Sequence, residues 1–100
     1  MTAVVLQAPP FVPIINMNGT SRKALIEQRT EACATVRAAI KALCEMRPNG
    51  RDFQTADVGA YENARQGHEL RIAALQAVHD DLMKEAEYLY VTGLDSKRHN

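Results

Sequence analysis

The side chains best equipped for chemistry are His68, His79, Cys33, Cys44 and Ser21, and their spacing denies them most of it. A zinc or di-iron site on helices needs ligands one turn apart, as in His-Glu-x-x-His or Glu-x-x-His. Neither pattern occurs: His68-Glu69 is followed by Ile72 where a second histidine would stand, and the adjacent Asp80 and Asp81 point away from His79 on a helix. The two histidines read as seam residues satisfied by hydrogen bonds, with pH sensing or ligand contact as the alternative. Cys33 and Cys44 are eleven residues apart in one helical segment, so about 16 Å separates them. That is too far for a disulfide within the helix, which needs Cα atoms within about 7 Å. Both read as small buried thiols of a reducing compartment, an intermolecular bridge being the other option. Ser21 lacks the strand-turn-helix setting of a hydrolase nucleophile, and no phosphate-cradling glycine pattern is present. The expectation is no catalytic residue, no metal and no cofactor.

Two polar clusters suit binding better than catalysis. Asn16, Asn18, Gly19, Thr20, Ser21, Arg22 and Lys23 gather amides, hydroxyls and two cations at the start of a helix. A helix start offers unpaired N–H groups and partial positive charge to a phosphate or carboxylate. An ordinary helix cap with solvated basic residues is the plain alternative. The second cluster is Asn49, Gly50, Arg51, Asp52 and Phe53, with Tyr61 further on. An arginine–carboxylate pair beside aromatic faces can grip a purine and its phosphate. Its plain alternative is a turn tied by Arg51 and Asp52.

The elements carrying these clusters follow from apolar periodicity and breakers. Residues 1–15 contain Pro9, Pro10 and Pro13, which forbid a helix and favour an extended arm lying on the helices or on a neighbouring subunit. Thr20 or Ser21 caps a first helix, 21–47, on which Leu25, Ala32, Val36, Ile40 and Leu43 recur at helical spacing. Pro48-Asn49-Gly50 stops it and opens a loop, 48–56. Thr55 or Asp57 caps the second helix, 57–92, with a seam of Tyr61, Arg65, His68, Ile72, Leu75, His79, Leu82, Ala86 and Leu89. Gly67 inside it costs up to ~1 kcal/mol or marks a close approach. Gly93 is expected to end it, leaving 93–100 as a polar tail.

Helices of about 38 and 50 Å joined by a short loop must run antiparallel. The fold class is therefore all-α, a two-helix hairpin over 16–92. Each apolar stripe is at least about 100° wide and one partner helix covers only part of it, so a homodimeric four-helix bundle or a higher oligomer is expected.

Charge adds to this. The chain's 100 residues carry twelve basic and twelve acidic side chains, which disfavours a nucleic-acid-coating role. Residues 16–51 nevertheless hold a basic surplus of four, and residues 52–100 an acidic surplus of four. The split suits pairing between halves of two antiparallel chains, though solvated faces explain it as simply. No stretch approaches the roughly 18–20 apolar residues of a membrane span, and the N-terminus lacks a basic leader, so a cytoplasmic protein is expected.

The Asn18–Ser21 run (Asn-Gly-Thr-Ser) and the Asn49–Phe53 run (Asn-Gly-Arg-Asp-aromatic) resemble those of short bacteriophage proteins over residues 14–90. Phage proteins of this kind look similar in architecture to sponges, Sequestin-like and Lockin-like among them, that sequester nucleotide immune signals without cleaving them. The resemblance implies an anti-defence protein in the host bacterial cytoplasm. Its ligand would be a cyclic ADP-ribose-type or cyclic dinucleotide signal, held in pockets between subunits. Asn16, Asn18, Thr20, Ser21 and Arg22 would hold the phosphate side, and Arg51, Asp52, Phe53 and Tyr61 the base or ribose side. A helical adaptor or inhibitor of a host or phage protein is the alternative. A signal-nucleotide hydrolase ranks behind both, for want of a base or metal.

Overall fold

The computed structural model describes residues 7–98, with side chains through Leu94. Expectations for residues 1–6 and 99–100 lie outside the described residues. Two helices and a 3-10 turn make up the fold: α1 (Arg22–Glu45), the turn Gly50–Phe53, and α2 (Ala60–Arg98). Among the described residues there is no strand.

Ser21, rather than Thr20, opens α1. Its backbone is extended and its Oγ accepts from Ala24 N at 3.1 Å, which satisfies one of the four N–H groups that a helix start leaves unpaired. At the far end Met46 N donates to Leu43 O at 3.0 Å. Pro48 then disfavours helical geometry at Arg47, so α1 stops at Glu45, short of residue 47.

α2 departs from expectation at both ends. It begins at Ala60, not Asp57, because Gly59 has φ +88°, a left-handed conformation in which a right-handed helix cannot run. Gly59 O accepts the first helical bond, from Asn63 N at 2.9 Å, so neither Thr55 nor Asp57 takes the cap position. Asp57 O instead accepts from Ala60 N at 3.1 Å. At the other end α2 runs through Gly93 to Arg98. Gly93 is a packing residue and not a stop: a Cβ there would lie 2.5 Å from Arg22 Cδ.

Polar contacts from four residues of α1 set an antiparallel register. Arg22 Nη1 donates to Leu89 O at 2.7 Å and to Thr92 Oγ1 at 2.8 Å. Arg29 Nε meets Glu85 Oε1 at 2.8 Å, with the two side chains 15% and 10% exposed. Cys33 Sγ donates to His79 O at 3.6 Å, and Arg37 Nη1 donates to His79 Nε2 at 3.0 Å. From Arg22 to Cys33 the partners step back along α2 from Leu89 and Thr92 through Glu85 to His79, and Arg37 returns to the His79 ring.

Only a narrow strip is enclosed. Leu25, Cys33, Ala86 and Leu89 are the buried apolar residues, with His68 and Glu85 the buried polar ones. Val36, Ile40, Leu43, Ile72, Leu75 and Leu82 are half-buried. Cys44 is exposed, against expectation, because no α1 residue beyond Cys33 is fully covered by α2. Arg65 is exposed too, drawn out of the seam into ion pairs with Glu62 and Glu69 along its own helix. The body measures 69 × 33 × 17 Å with a radius of gyration of 20.0 Å, against about 13 Å for a globular domain of this length.

The two glycines of α2 should answer oppositely to alanine. Gly67 faces open space rather than a close neighbour, so Gly67→Ala should stabilise by ~0.5–1 kcal/mol in denaturant titrations at fixed protein concentration. Gly93→Ala should destabilise by displacing Arg22, and that penalty should vanish in an Arg22→Ala background.

Cutting the Arg29–Glu85 pair on one side leaves a largely buried charge without its partner. Arg29→Met alone should cost about 3–5 kcal/mol, and adding Glu85→Leu should recover most of it. A double-mutant cycle by urea unfolding measures both.

Candidate functional site

The N-terminal cluster proves to be occupied mainly with itself. Asn16 Oδ1 accepts from Asn18 N at 3.0 Å and Asn16 O accepts from Gly19 N at 3.3 Å, closing a small turn. Ser21 caps α1. The Arg22 guanidinium reaches across to Leu89 and Thr92, so it fastens the helices together instead of standing open to an anion. The side chains of Asn18 and Thr20 are exposed and make no hydrogen bond among the described residues. Lys23 is also exposed, with Glu27 at 3.9 Å.

The loop cluster is arranged differently. Asn49 Oδ1 accepts from Arg51 N and Asn49 O from Asp52 N, both at 3.0 Å, and these bonds wind the 3-10 turn. Asn49 holds this loop by its side chain and its carbonyl, and among the described residues no Arg51–Asp52 ion pair forms. Arg51 and Asp52 are therefore both presented to solvent. Phe53, half-buried, packs against Tyr61 with ring centroids 5.9 Å apart and planes tilted by 51°, a favoured aromatic geometry. The structure brings Arg51, Asp52, Phe53 and Tyr61 to one end of the hairpin. Asn16, Asn18, Thr20, Ser21 and Arg22 lie at the other, with the length of α1, about 36 Å, between them.

Glu62 and Arg65 give the aromatic end its charge pattern. Arg65 donates to both Glu62 carboxylate oxygens, at 2.8 and 3.2 Å, and lies 3.6 Å from Glu69. The hydrogen bonds from Arg65 hold the Glu62 carboxyl below its ordinary value of 4.5. Any stabilisation from this pair is complete above that ordinary value and fades as pH falls through the lowered one.

The histidines split. Arginine can only donate, so His79 Nε2 accepts from Arg37 and the ring proton is assigned to Nδ1, 3.3 Å from Asp80 Oδ1. Asp80 thus does reach its neighbour, contrary to the expectation from helix faces. His68 is buried on the seam at 6% exposure, and among the described residues its Nε2 has no hydrogen-bond partner, unlike the satisfied seam histidine expected. Among the described residues no group of three His, Cys, Asp or Glu side chains is placed to hold a metal ion. No helix among them is long and apolar enough to cross a membrane.

Sequence periodicity missed an open groove of about 640 Å³ between the start of α1 and the end of α2, lined by Ile26, Tyr90, Gly93 and Leu94 and edged by Lys23 and Glu27. The signal was there in Tyr90 and Leu94, four residues apart, but ending the helix at Gly93 concealed it.

Comparison with known proteins finds no matching family model, no matching curated protein and no matching solved structure.

Carboxyl-detected NMR should find Glu62 titrating below 4.5, with Arg65→Gln returning it towards that value. An unshifted Glu62 in the unsubstituted protein would show that the pair does not persist in solution.

Proposed function

We propose that this chain is a non-enzymatic, homo-oligomeric phage anti-defence protein. It binds and sequesters a phosphorylated nucleotide signal, cyclic ADP-ribose-type or cyclic dinucleotide, in pockets between subunits. The observation that carries this reading is the exposed Arg51 guanidinium on a turn held by Asn49 beside the tilted Phe53–Tyr61 pair. A guanidinium fork matches a phosphate in geometry and charge, and an aromatic face accepts any base by stacking. The resemblance of the two Asn-Gly runs to phage sponge proteins supports the same ligand class.

In one hairpin the two clusters are too far apart for one small ligand. A second, antiparallel copy brings the start of its α1 beside this loop, and the opposite charge surplus of the two halves favours that pairing. With Arg22 tied to α2, the phosphate side passes to Asn18, Thr20 and Lys23. Binding needs only preorganised donors and stacking, with no general base.

A second reading has its own support. Leu70 (71% exposed), Val78, Met83 and Tyr90 leave apolar side chains exposed at several points around α2, and exposed apolar surface of this kind fits an adaptor or inhibitor that docks a host or phage protein.

The test is to incubate the protein with cyclic ADP-ribose isomers and cyclic dinucleotides, then heat-denature it and analyse the supernatant. Depletion followed by intact release is the expected result. Phe53→Ala should weaken binding by roughly 5- to 100-fold, from about 1–3 kcal/mol of stacking, and Arg51→Ala should weaken it also, both with unchanged oligomer mass. A chemically altered ligand would make the protein an enzyme, and no depletion with any candidate would leave the adaptor.

A further inference from the structure

The structure points to the N-terminal segment of a second copy as the occupant of the apolar groove: we propose that Phe11 and Ile14 of one chain insert against Ile26, Tyr90 and Leu94 of another. The groove lacks a cover and the segment lacks a surface for its two outward apolar side chains.

Phe11 is 85% exposed and Ile14 89% exposed. They stand three residues apart on a segment whose intervening Val12 and Pro13 are half-buried. In its own chain this segment lies along one flank of α2. Residues 8–10 and 12–15, with Arg22, line a cavity of about 480 Å³ against Tyr88, Leu89 and Thr92. Phe11 itself borders a shallow space shared by Pro9, Pro10, Asp81, Lys84 and Glu87, and that space leaves most of its ring in water.

The groove lies on the other flank. Tyr88 and Tyr90 differ by two residues, about 200° around a helix, so the wall bearing Tyr90 and Leu94 faces away from the chain's own segment. Arg22 stands between, lining both spaces. Filling the groove in cis would pull Val12 and Ile15 out of their half-buried positions. Filling it in trans leaves them seated and covers side chains that are otherwise wet: Phe11, Ile14, Tyr90 (58% exposed) and Leu94 (43%).

A two-fold exchange places one segment in each groove. A phenylalanine buries about 200 Å². With isoleucine and the groove walls included, two insertions bury on the order of 1,000 Å² or more, the range of a specific interface. The occupant is a second copy of this chain, joined at like ends through an interface other than the α1-start-to-loop pairing of the nucleotide reading, so the exchange stands whether or not a nucleotide binds elsewhere.

The test uses the full chain without nucleotide, in a Cys44→Ser background that leaves only the buried Cys33. One preparation carries Phe11→Cys and a second, of distinguishable mass, carries Leu94→Cys. After mixing and mild oxidation, intact-mass analysis should show the disulfide-linked 11–94 heterodimer in excess over both homodimers. Absence of that excess overturns the proposal. So does a chain carrying both substitutions that closes on itself as a bridged monomer. In parallel, Phe11→Ser with Ile14→Ser should lower the light-scattering mass while the far-ultraviolet helical signal stays unchanged, since both residues lie outside the helices. An unchanged mass also overturns it. Failure here leaves the nucleotide reading intact, because Arg51, Phe53 and Tyr61 take no part.

Discussion

Two helices cannot surround anything. Each can cover only part of its partner's apolar stripe, so the enclosed apolar set shrinks to Leu25, Cys33, Ala86 and Leu89, and the rest of both stripes stays half-open. Most other features of the molecule follow from this limit. With so little apolar burial to choose between alternative alignments, the register depends on polar contacts across the seam. Arg22, Arg29, Cys33 and Arg37 supply them in order along α1. An arginine seated on a backbone carbonyl or a buried carboxylate is costly to misplace, since a slip leaves a desolvated charge without its partner. The hairpin is thus specified at least as much by where its charges must go as by where its apolar groups prefer to be.

The same economy governs the two ends. At the start of α1 the polar residues that look available for a ligand are spent on closing a turn, capping a helix and fastening one helix to the other. At the loop end Asn49 does the fastening with its side-chain Oδ1 and its own carbonyl, so the side chains of Arg51 and Asp52 are left projecting beside an aromatic pair. Clusters of similar composition therefore differ in what they can offer a partner. The difference lies in which atoms hold the chain together locally.

Much of the fold was legible in the residues. Apolar spacing in 21–47 and 57–92, the Pro48-Asn49-Gly50 break and the short connection sufficed for an all-α hairpin. Less legible were the glycines. Gly93 looks like a stop because glycine so often ends helices, yet here it makes room for Arg22, a residue 71 positions earlier in the chain. Nothing in the linear chain marks Gly59 as special, although its positive φ decides where α2 begins. Cysteine was ambiguous in the same way: Cys33 and Cys44 share a predicted face, and only the fading cover along α1 separates a buried thiol from an exposed one. His68 sits on the expected seam, and nothing local revealed that its Nε2 would find no partner there.

What the sequence determines by itself is what depends on neighbours along the chain. Helical periodicity, breakers, the Ser21 cap and the Asn49 turn arise from atoms within about four residues of one another, and the residue types record them directly. Tertiary structure alone decided which of those polar atoms were already committed. Arg22 could be a phosphate ligand in the linear chain, and it becomes a cross-helix tie only when α2 brings Leu89 O and Thr92 Oγ1 to it. The groove beside it exists for the same reason, since its two walls come from opposite ends of the chain and meet only when the helices pair.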